Sequence, residues 1–240
     1  MIFDFKNKTV IVTGSNSGNG YAIAKAYSDL NANVIRIDKK FSSKLRSKDL
    51  VFNLKNYKKV KSLVLKIKKI SKKVDILINN AGISEQSLNP YRNFEIYQKT
   101  LAVNLHSPFY LISYISEMMP KNSSIVQVTS LGQKFGFKNN PSYQISKAGL
   151  AQLTKCAAID FANKKIRVNN ICPGYIKTSM TKKSYKNISK SKERINRTIS
   201  KRWGVPEDLV GSVLFLTTKY SSYINGTSID VDGGWSIYGV

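Results

Sequence analysis

The sequence predicts an α/β fold in which a doubly wound parallel sheet of about seven strands carries helices on both faces. Short apolar, β-branched runs alternate with longer segments whose apolar residues recur every three to four positions. A glycine-rich stretch, TGSNSGNG, separates the first apolar run from the first helical segment. The length of 240 residues, with 42% hydrophobic content, suits one domain of this class, predicted to cover residues 1–240.

The first elements are predicted to form a β–α–β unit. Residues 8–13 (KTVIVT) read as a strand buried on both faces, because such strands of a parallel sheet are continuous apolar runs. Residues 21–30 carry Ala and Leu at helical spacing, and residues 33–38 (NVIRID) read as the second strand. The glycine-rich loop therefore occupies the place of a phosphate-binding loop in a Rossmann-type fold.

The same alternation continues along the chain. Residues 60–70 form an amphipathic helix, with one apolar stripe and lysines on the wet face. A long helical stretch is predicted over 91–119 although it contains Pro108. The remaining strands are predicted at 50–53, 74–79, 124–130, 166–171 and 227–231, and the remaining helices at 142–162 and 209–216.

The formal net charge of +25 leaves two interpretations open. A nucleic-acid-binding protein is one, and a lysine-rich solvated surface is the other. Lys outnumbers Arg by 32 to 7 and the lysines are spread along the whole chain, whereas base and phosphate recognition favours arginine. The sequence therefore favours a solvated surface without a specific nucleic-acid partner, although the charge should attract acidic substrates.

The sequence shows neither a targeting segment nor a cluster of metal ligands, and both observations bear on location and metal binding. There is no apolar run of eighteen residues, and the first residues do not form a signal peptide, so a cytoplasmic protein without a membrane span is expected. Cys156 and Cys172 are expected to be reduced core residues. His106 has no neighbouring ligand cluster, so a structural role and no metal site are predicted.

The glycine loop could hold a nucleotide or could be only a turn. Its spacing, G-x-x-x-G-x-G, differs from both common phosphate-loop patterns. Glycines allow positive φ angles and a close approach to a diphosphate, and the following helix N-terminus attracts anions. Asp38, which ends the second strand, stands where an acidic residue accepts the ribose hydroxyls of NAD and repels a 2′-phosphate.

Several further motifs follow in one order, and together they resemble the short-chain dehydrogenase/reductase family over almost the whole chain. The motifs are TGSNSGNG at 13–20, NNAG at 79–82, VNL at 103–105, Ser130, YQISK at 143–147, PG at 173–174 and VDGGW at 231–235. The resemblance implies NAD(P)(H)-dependent interconversion of a secondary alcohol and a ketone, by a homo-oligomer that is a tetramer or a dimer.

The resemblance also implies the residues that bind the cofactor. They are Gly14, Ser17, Gly18, Asn19, Gly20, Asp38, Asn53, Leu54, Asn80, Ala81, Gly82, Tyr143, Lys147, Pro173, Gly174, Ile176 and Thr178. The family usually has Ile in place of Asn19 and Asp in place of Asn53, and both departures are expected to be tolerated. Asp38 favours NAD(H), while Lys39 and Lys40 leave NADP(H) possible.

Four residues are predicted to be catalytic. Tyr143 and Lys147 are four apart in a helix and so share a face. A tyrosine with a pKa of about 10 must be shifted by roughly 3 units to act as a base, and a neighbouring lysine cation lowers the pKa. By resemblance, Ser130 hydrogen-bonds the substrate oxygen and Asn104 helps to hold a water in the proton path.

The substrate is left open between classes. By resemblance, residues 177–203 include a mobile lid over the substrate, and the basic insert 181–202 is either a solvated loop or a clamp for an anionic substrate. A sugar, sugar acid or nucleotide sugar is favoured as the small-molecule substrate. The alternatives are a 3-oxoacyl-carrier-protein reductase and a non-catalytic dinucleotide-binding sensor.

Overall fold

A computed structural model describes residues 3–238, and it contains one parallel sheet of seven strands. The spatial order is β3-β2-β1-β4-β5-β6-β7. The strands are β1 (Thr9–Thr13), β2 (Asn33–Asp38), β3 (Asp49–Val51), β4 (Ile76–Asn79), β5 (Ser124–Val128), β6 (Arg167–Pro173) and β7 (Ser228–Val231). The predicted single-domain, doubly wound α/β fold is confirmed, while its predicted bounds at residues 1 and 240 lie outside the described residues.

Helices cover both faces of this sheet. They are α1 (Gly18–Asp29), α2 (Val60–Ile70), α3 (Phe94–Leu101), α4 (Ser107–Ile115), α5 (Pro141–Asp160), α6 (Lys182–Tyr185), α7 (Ile188–Asn196) and α8 (Val210–Leu216). One apolar core lies on the face of α2, α4 and α5, and a second core lies on the face of α1 and α8. Alternate strand residues supply the two cores, as the unbroken apolar runs predict.

The strand order places a ligand cleft. The chain moves outward from β1 to β2 and β3, and then returns to build β4 to β7 on the other side of β1. The loops after β1 and β4 therefore diverge onto opposite faces, which opens a crevice at the carboxyl ends of these strands. The glycine loop follows β1, and the NNAG motif begins with the last residue of β4.

The long helix predicted over 91–119 is not continuous. A π-helical segment (Ala102–His106) separates α3 from α4, and Pro108 lies in the first turn of α4. Proline has no N–H to donate to the carbonyl of the fourth residue before it, which here is Asn104, so regular α-helical bonding cannot continue there. The wider turn that results is typical of functional sites.

Two side-chain expectations have different outcomes. Cys172 is fully buried, whereas Cys156 is exposed, so the prediction that both are core residues was wrong for Cys156. Cys156 follows Gln152 by one helical turn on the solvent side of α5. His106 stacks edge-on against Tyr57, with ring centroids 4.8 Å apart.

Residues 177–203, here called the lid after the role that the sequence predicts for them, contain the short helices α6 and α7. The polar sequence of α7 offers little apolar surface, and its docking relies on Trp203. The Trp203 indole N–H donates to the Ser191 hydroxyl at 2.8 Å, and Tyr185 packs edge-on against the same indole. Among residues 3–238, no helix has both the length and the apolar character needed to cross a bilayer.

Candidate active site

A cleft of about 390 Å³ lies at the carboxyl ends of the strands and collects nearly all the predicted site residues. The predicted residues that line it are Gly14, Ser17, Gly18, Asn19, Asp38, Asn53, Leu54, Asn80, Ala81, Gly82, Ser130, Tyr143, Lys147, Pro173, Gly174, Ile176 and Thr178. Of the predicted set, only Gly20 and Asn104 do not line the cleft. Both are buried directly behind its wall.

The glycine loop provides an anion site at the start of α1. Ser17 is the N-cap residue in an extended conformation, and its side chain makes no capping hydrogen bond. The first N–H groups of α1 therefore face the cleft without a side-chain cap, and the helix dipole favours an anion there. Gly18 has a positive φ of 56°, and a β-carbon on Gly20 would overlap the carbonyl oxygen of Gly14.

The NNAG motif is tied to the same loop. The Asn80 side-chain amide donates to the carbonyls of Thr13 at 2.9 Å and Gly14 at 3.2 Å. The Thr13 hydroxyl accepts from the backbone N–H groups of Asn80 and Ala81. The Asn80 amide N–H groups are thus used inside the protein, so this side chain positions the glycine loop.

Asp38 closes one end of the cleft. One carboxylate oxygen accepts the backbone N–H of Asn16 in the glycine loop at 3.0 Å. The Asn16 side-chain oxygen in turn accepts from the backbone N–H and hydroxyl of Ser42. These bonds fix the Asp38 carboxylate at the cleft wall, where Lys39 also lies.

The cleft wall beside Asp38 contains the predicted residues Asn53 and Leu54, and further residues outside the predicted set line other parts of the cleft. Asn53 uses its side-chain oxygen to cap the next turn, accepting from Lys55 N–H at 3.0 Å, and Leu54 is buried next to it. The additional lining residues are Lys39, Phe52, Lys55, Ile83, Lys99, Val103, Val128, Thr129, Ser179, Met180 and Thr181. Lys99 and Val103 precede Asn104 by about one turn and one residue, so the VNL motif could have indicated them.

Tyr143 and Lys147 lie on one face of α5, as their spacing predicts. The Lys147 ammonium is 5.8 Å from the Tyr143 ring centroid and donates to the Val128 carbonyl at 2.7 Å. Burial lowers the pKa of Lys147 to about 8. Because a cation is still favoured at pH 7, Lys147 can stabilise negative charge beside Tyr143.

The pKa of Tyr143 departs from the sequence-based expectation. Burial raises it, and the neighbouring Ser130 hydroxyl acts in the opposite direction without overcoming burial. The expected lowering is therefore absent in the protein alone. A neutral phenol can donate a proton to a carbonyl oxygen, and its ionised form can accept one from a hydroxyl.

Asn104 is fully buried and connects the catalytic helix to the NNAG loop. Its amide N–H groups donate to the Ile83 carbonyl and the Ser146 hydroxyl, and its oxygen accepts from Ile83 N–H at 2.9 Å. A β-carbon on Gly82 would lie 3.5 Å from both the Asn104 oxygen and the Lys147 ammonium. Asn104 and Lys147 thus meet at Gly82.

Thr178 lies across the cleft from the glycine loop. A β-carbon on Gly18 would meet the Thr178 methyl group at 3.3 Å. The Thr178 hydroxyl is 3.4 Å from the Thr181 hydroxyl, which donates to the Ile176 carbonyl at 2.6 Å. The start of the lid therefore forms part of the cleft wall.

The motif order and this geometry can be compared with known proteins. Residues 14–236 match the family model described as enoyl-(acyl carrier protein) reductase. A 3-oxoacyl-(acyl-carrier-protein) reductase of Rickettsia bellii is 35% identical over 245 residues, which cover 97% of this chain and 98% of the relative. The chain belongs to the short-chain dehydrogenase/reductase family. Membership makes it an oxidoreductase that acts on CH–OH groups with a nicotinamide dinucleotide.

Other members of the short-chain dehydrogenase/reductase family match this chain over nearly their whole length. A 2-dehydro-3-deoxy-D-gluconate 5-dehydrogenase of Bacillus subtilis is 33% identical over 246 residues, covering 97% of this chain and 96% of the relative. A Beutenbergia cavernae structure described as an NAD(P)-dependent gluconate 5-dehydrogenase, with bound NADP, has a TM-score of 0.91 and 27% identity, covering 98% and 99% of the two chains. A 4-hydroxyisoleucine dehydrogenase complexed with NADH has a TM-score of 0.90 and 28% identity, covering 96% and 99%.

Proposed function

We propose that this protein is an NAD(H)-preferring dehydrogenase that interconverts a secondary alcohol and a ketone of a sugar acid. One observation carries the proposal. A single cleft joins the Asp38 carboxylate and the uncapped N-terminus of α1 to Ser130, Tyr143 and Lys147. The sugar-acid class is supported by relatives whose names specify gluconate derivatives.

The residues present fit a dinucleotide. The first turn of α1 would hold the diphosphate, and the absence of a side chain at Gly14 lets the glycine loop pack directly against Ala81 of the NNAG motif. Asp38 would accept the adenosine ribose hydroxyls, and Asn53 and Leu54 would flank the adenine. Lys147 would hold the second ribose, with Pro173, Gly174, Ile176 and Thr178 beside the nicotinamide.

The bound cofactor supplies hydride transfer. In the oxidation, Tyr143 in its ionised form would accept the proton of the substrate hydroxyl. Ser130 orients the substrate oxygen by a hydrogen bond, and the Lys147 cation favours the charged form of Tyr143. In the reduction, Tyr143 returns the proton to the carbonyl oxygen.

A second candidate function is reduction of a 3-oxoacyl group on a carrier protein. It is favoured by the 35% identity to such a reductase and by the net charge of +25, which suits an acidic partner. The Asp38 carboxylate argues for NAD(H) and hence, on the preferences that the family resemblance implies, for the sugar-acid class.

Initial rates on a small substrate panel test the proposal. The panel contains D-gluconate with NAD⁺ or NADP⁺, and a 3-oxoacyl thioester with NADH or NADPH. We expect the highest kcat/KM with gluconate and NAD⁺. Higher kcat/KM with the thioester and NADPH would support the carrier-protein reductase instead, and cofactor binding without turnover of either substrate would support a sensor.

Asn19→Ile is expected to bind NADH as tightly as the wild-type protein or several-fold more tightly. The Asn19 side-chain oxygen is buried and has no hydrogen-bond partner among residues 3–238, and such a group is costly. Isoleucine removes the cost and keeps the backbone N–H. Fluorescence titration with NADH measures the effect, and a loss above about tenfold would show that the amide contacts the cofactor.

Asn16→Ile is the matched control for that variant. It makes the same change three residues earlier, where the amide oxygen accepts hydrogen bonds from the N–H and hydroxyl of Ser42. NADH binding should weaken in this variant because the loop loses its support.

Three wider features belong to the same proposal. The lid (177–203) covers the substrate, since its first residues already line the cleft.

Homo-oligomer formation is supported by exposed apolar side chains on α4 and α5, with Phe109, Ile145 and Ile159 at 56%, 48% and 75% exposure. The cytoplasm is proposed as the location.

A further inference from the structure

The two ends of the lid meet at Ile176, which lines the cleft. Ile176 directly precedes the lid and forms an isolated parallel bridge with Gly204, which directly follows it. The Gly204 N–H donates to the Tyr175 carbonyl at 3.0 Å, and the Gly204 carbonyl accepts from the Lys177 N–H at 2.9 Å. The lid is therefore a loop that two backbone hydrogen bonds close at its base.

Asp208 anchors the far end of the lid. Its carboxylate accepts the Val205 N–H at 2.8 Å and pairs with two nitrogens of the Arg202 guanidinium, at 2.6 and 2.8 Å. Paired charged hydrogen bonds of this kind fix the geometry of the groups that they join. Gly204 lies between Arg202 and Val205 in sequence, so its backbone is held against Ile176.

Gly204 lies where the end of the lid comes closest to the cleft wall. A β-carbon on Gly204 would overlap the Ile176 Cδ1 atom. Its next neighbours, the Asp208 carboxylate and the Tyr175 carbonyl, would lie at the ordinary contact distances of 3.4 and 3.6 Å. Gly204 does not have a positive φ angle, so its backbone conformation is open to other residues. Glycine is needed here because of one methyl group of Ile176, and not because of the backbone.

Ile176 lies between two cavities. It lines the cleft together with Thr178, and it also lines a second cavity of about 340 Å³ to which Gly204 contributes. Gly204 lies on the second cavity and outside the cleft lining, so a side chain there would push Ile176 towards the cleft. If the base of the lid opened instead, Thr178 would move, because the preceding N–H of Lys177 is bonded to Gly204. Either movement alters the same wall of the cleft.

We propose that Gly204 is a positioning residue for the nicotinamide end of the cleft, an inference that rests on the placement of the nicotinamide beside Ile176 in the proposed function. The absence of a side chain lets the anchored end of the lid pair with residues 175–177. It also leaves the Ile176 methyl group a place outside the space of the cofactor. The base of the lid thus determines the width of the cleft at the nicotinamide.

The test compares NADH with ADP-ribose, which has the diphosphate and both riboses but no nicotinamide ring. Calorimetry gives the Kd of each ligand for the wild-type protein, Gly204→Ala, Ile176→Val and the double variant that combines both substitutions. We expect Gly204→Ala to raise the Kd for NADH by about 5- to 20-fold, as for an overpacked site, and to leave the Kd for ADP-ribose within about twofold of wild type. The double variant should recover most of the affinity for NADH, because Ile176→Val removes the Cδ1 atom that the new methyl group would overlap.

Gly211→Ala is the matched control, because it adds the same methyl group to α8 where a β-carbon would meet no atom within 4 Å. Both of its Kd values should stay within about twofold of wild type, as for an ordinary surface substitution. An unchanged Kd for NADH in Gly204→Ala, an equal loss of affinity for both ligands, or no recovery in the double variant would overturn the proposal and leave the proposed function standing. Wild-type protein that binds neither ligand would overturn both. Wild-type protein that binds NADH without oxidising gluconate would overturn the sugar-acid function alone.

Discussion

Tyr143→Phe is expected to lower kcat by about three orders of magnitude, within the range that a positioned general acid or base contributes. The substitution removes only the phenolic oxygen, which lies beside Ser130 at the cleft. The aromatic ring remains, so the packing beside Lys147 should change little. Steady-state oxidation of D-gluconate measures the loss, and fluorescence titration with NADH should give a Kd within about threefold of wild type.

Ser142→Ala is the control for Tyr143→Phe, because it removes a neighbouring buried hydroxyl on the same helix that does not line the cleft. Its kcat should stay within about tenfold of wild type, as for an ordinary buried substitution. Turnover retained by Tyr143→Phe would contradict the mechanism. Loss of both turnover and NADH binding would show that the phenol instead supports the cofactor site.

The elements with strong periodic signals could be predicted from the sequence. β2 has the predicted bounds, and α2 matches residues 60–70, because a short β-branched segment and an apolar stripe at helical spacing each favour one structure. The alternation of strands and helices then determined the parallel sheet, and the sheet placed Asp38, Asn80 and Ser130 at one edge. The predicted site residues meet in the cleft for this reason.

Other features depend on contacts that no local pattern contains. The π-helical segment directly precedes α4, where Pro108 interrupts regular helical hydrogen bonding, and it contains Asn104. The Asn104 side chain bonds to Ile83 and Ser146, and these partners are distant in sequence. The lid helix α7 packs through contacts of its own Arg194 and Ser191 with Trp203, which follows the helix in sequence. It has no apolar stripe that a sequence pattern could reveal. The raised pKa of Tyr143 follows from burial, which becomes known only once the chain is folded.

Asp38→Asn is expected to move the cofactor preference from NADH towards NADPH by about 100-fold. The wild-type carboxylate would accept ribose hydroxyls and repel a 2′-phosphate, and each charged hydrogen bond contributes about 1.5–3 kcal/mol. Asparagine keeps an oxygen that can accept the Asn16 N–H, so the glycine loop should stay in place. Only the charge is then removed, and the ratio of the Kd values for NADPH and NADH, measured by fluorescence titration, reports that charge.

Lys39→Gln separates the Asp38 carboxylate from its basic neighbour. Lys39 lines the cleft beside Asp38, so it is the cation that a 2′-phosphate would meet there. If Asp38 controls the cofactor preference, Lys39→Gln alone should leave the Kd for NADH within about twofold of wild type. An exposed cation contributes little to the binding of two neutral ribose hydroxyls. In the double variant that combines Asp38→Asn with Lys39→Gln, the affinity for NADPH should lose most of the increase that Asp38→Asn alone produces. A wild-type protein that already prefers NADPH, with no shift in Asp38→Asn, would show that Lys39 dominates and that the carboxylate serves only to hold Asn16.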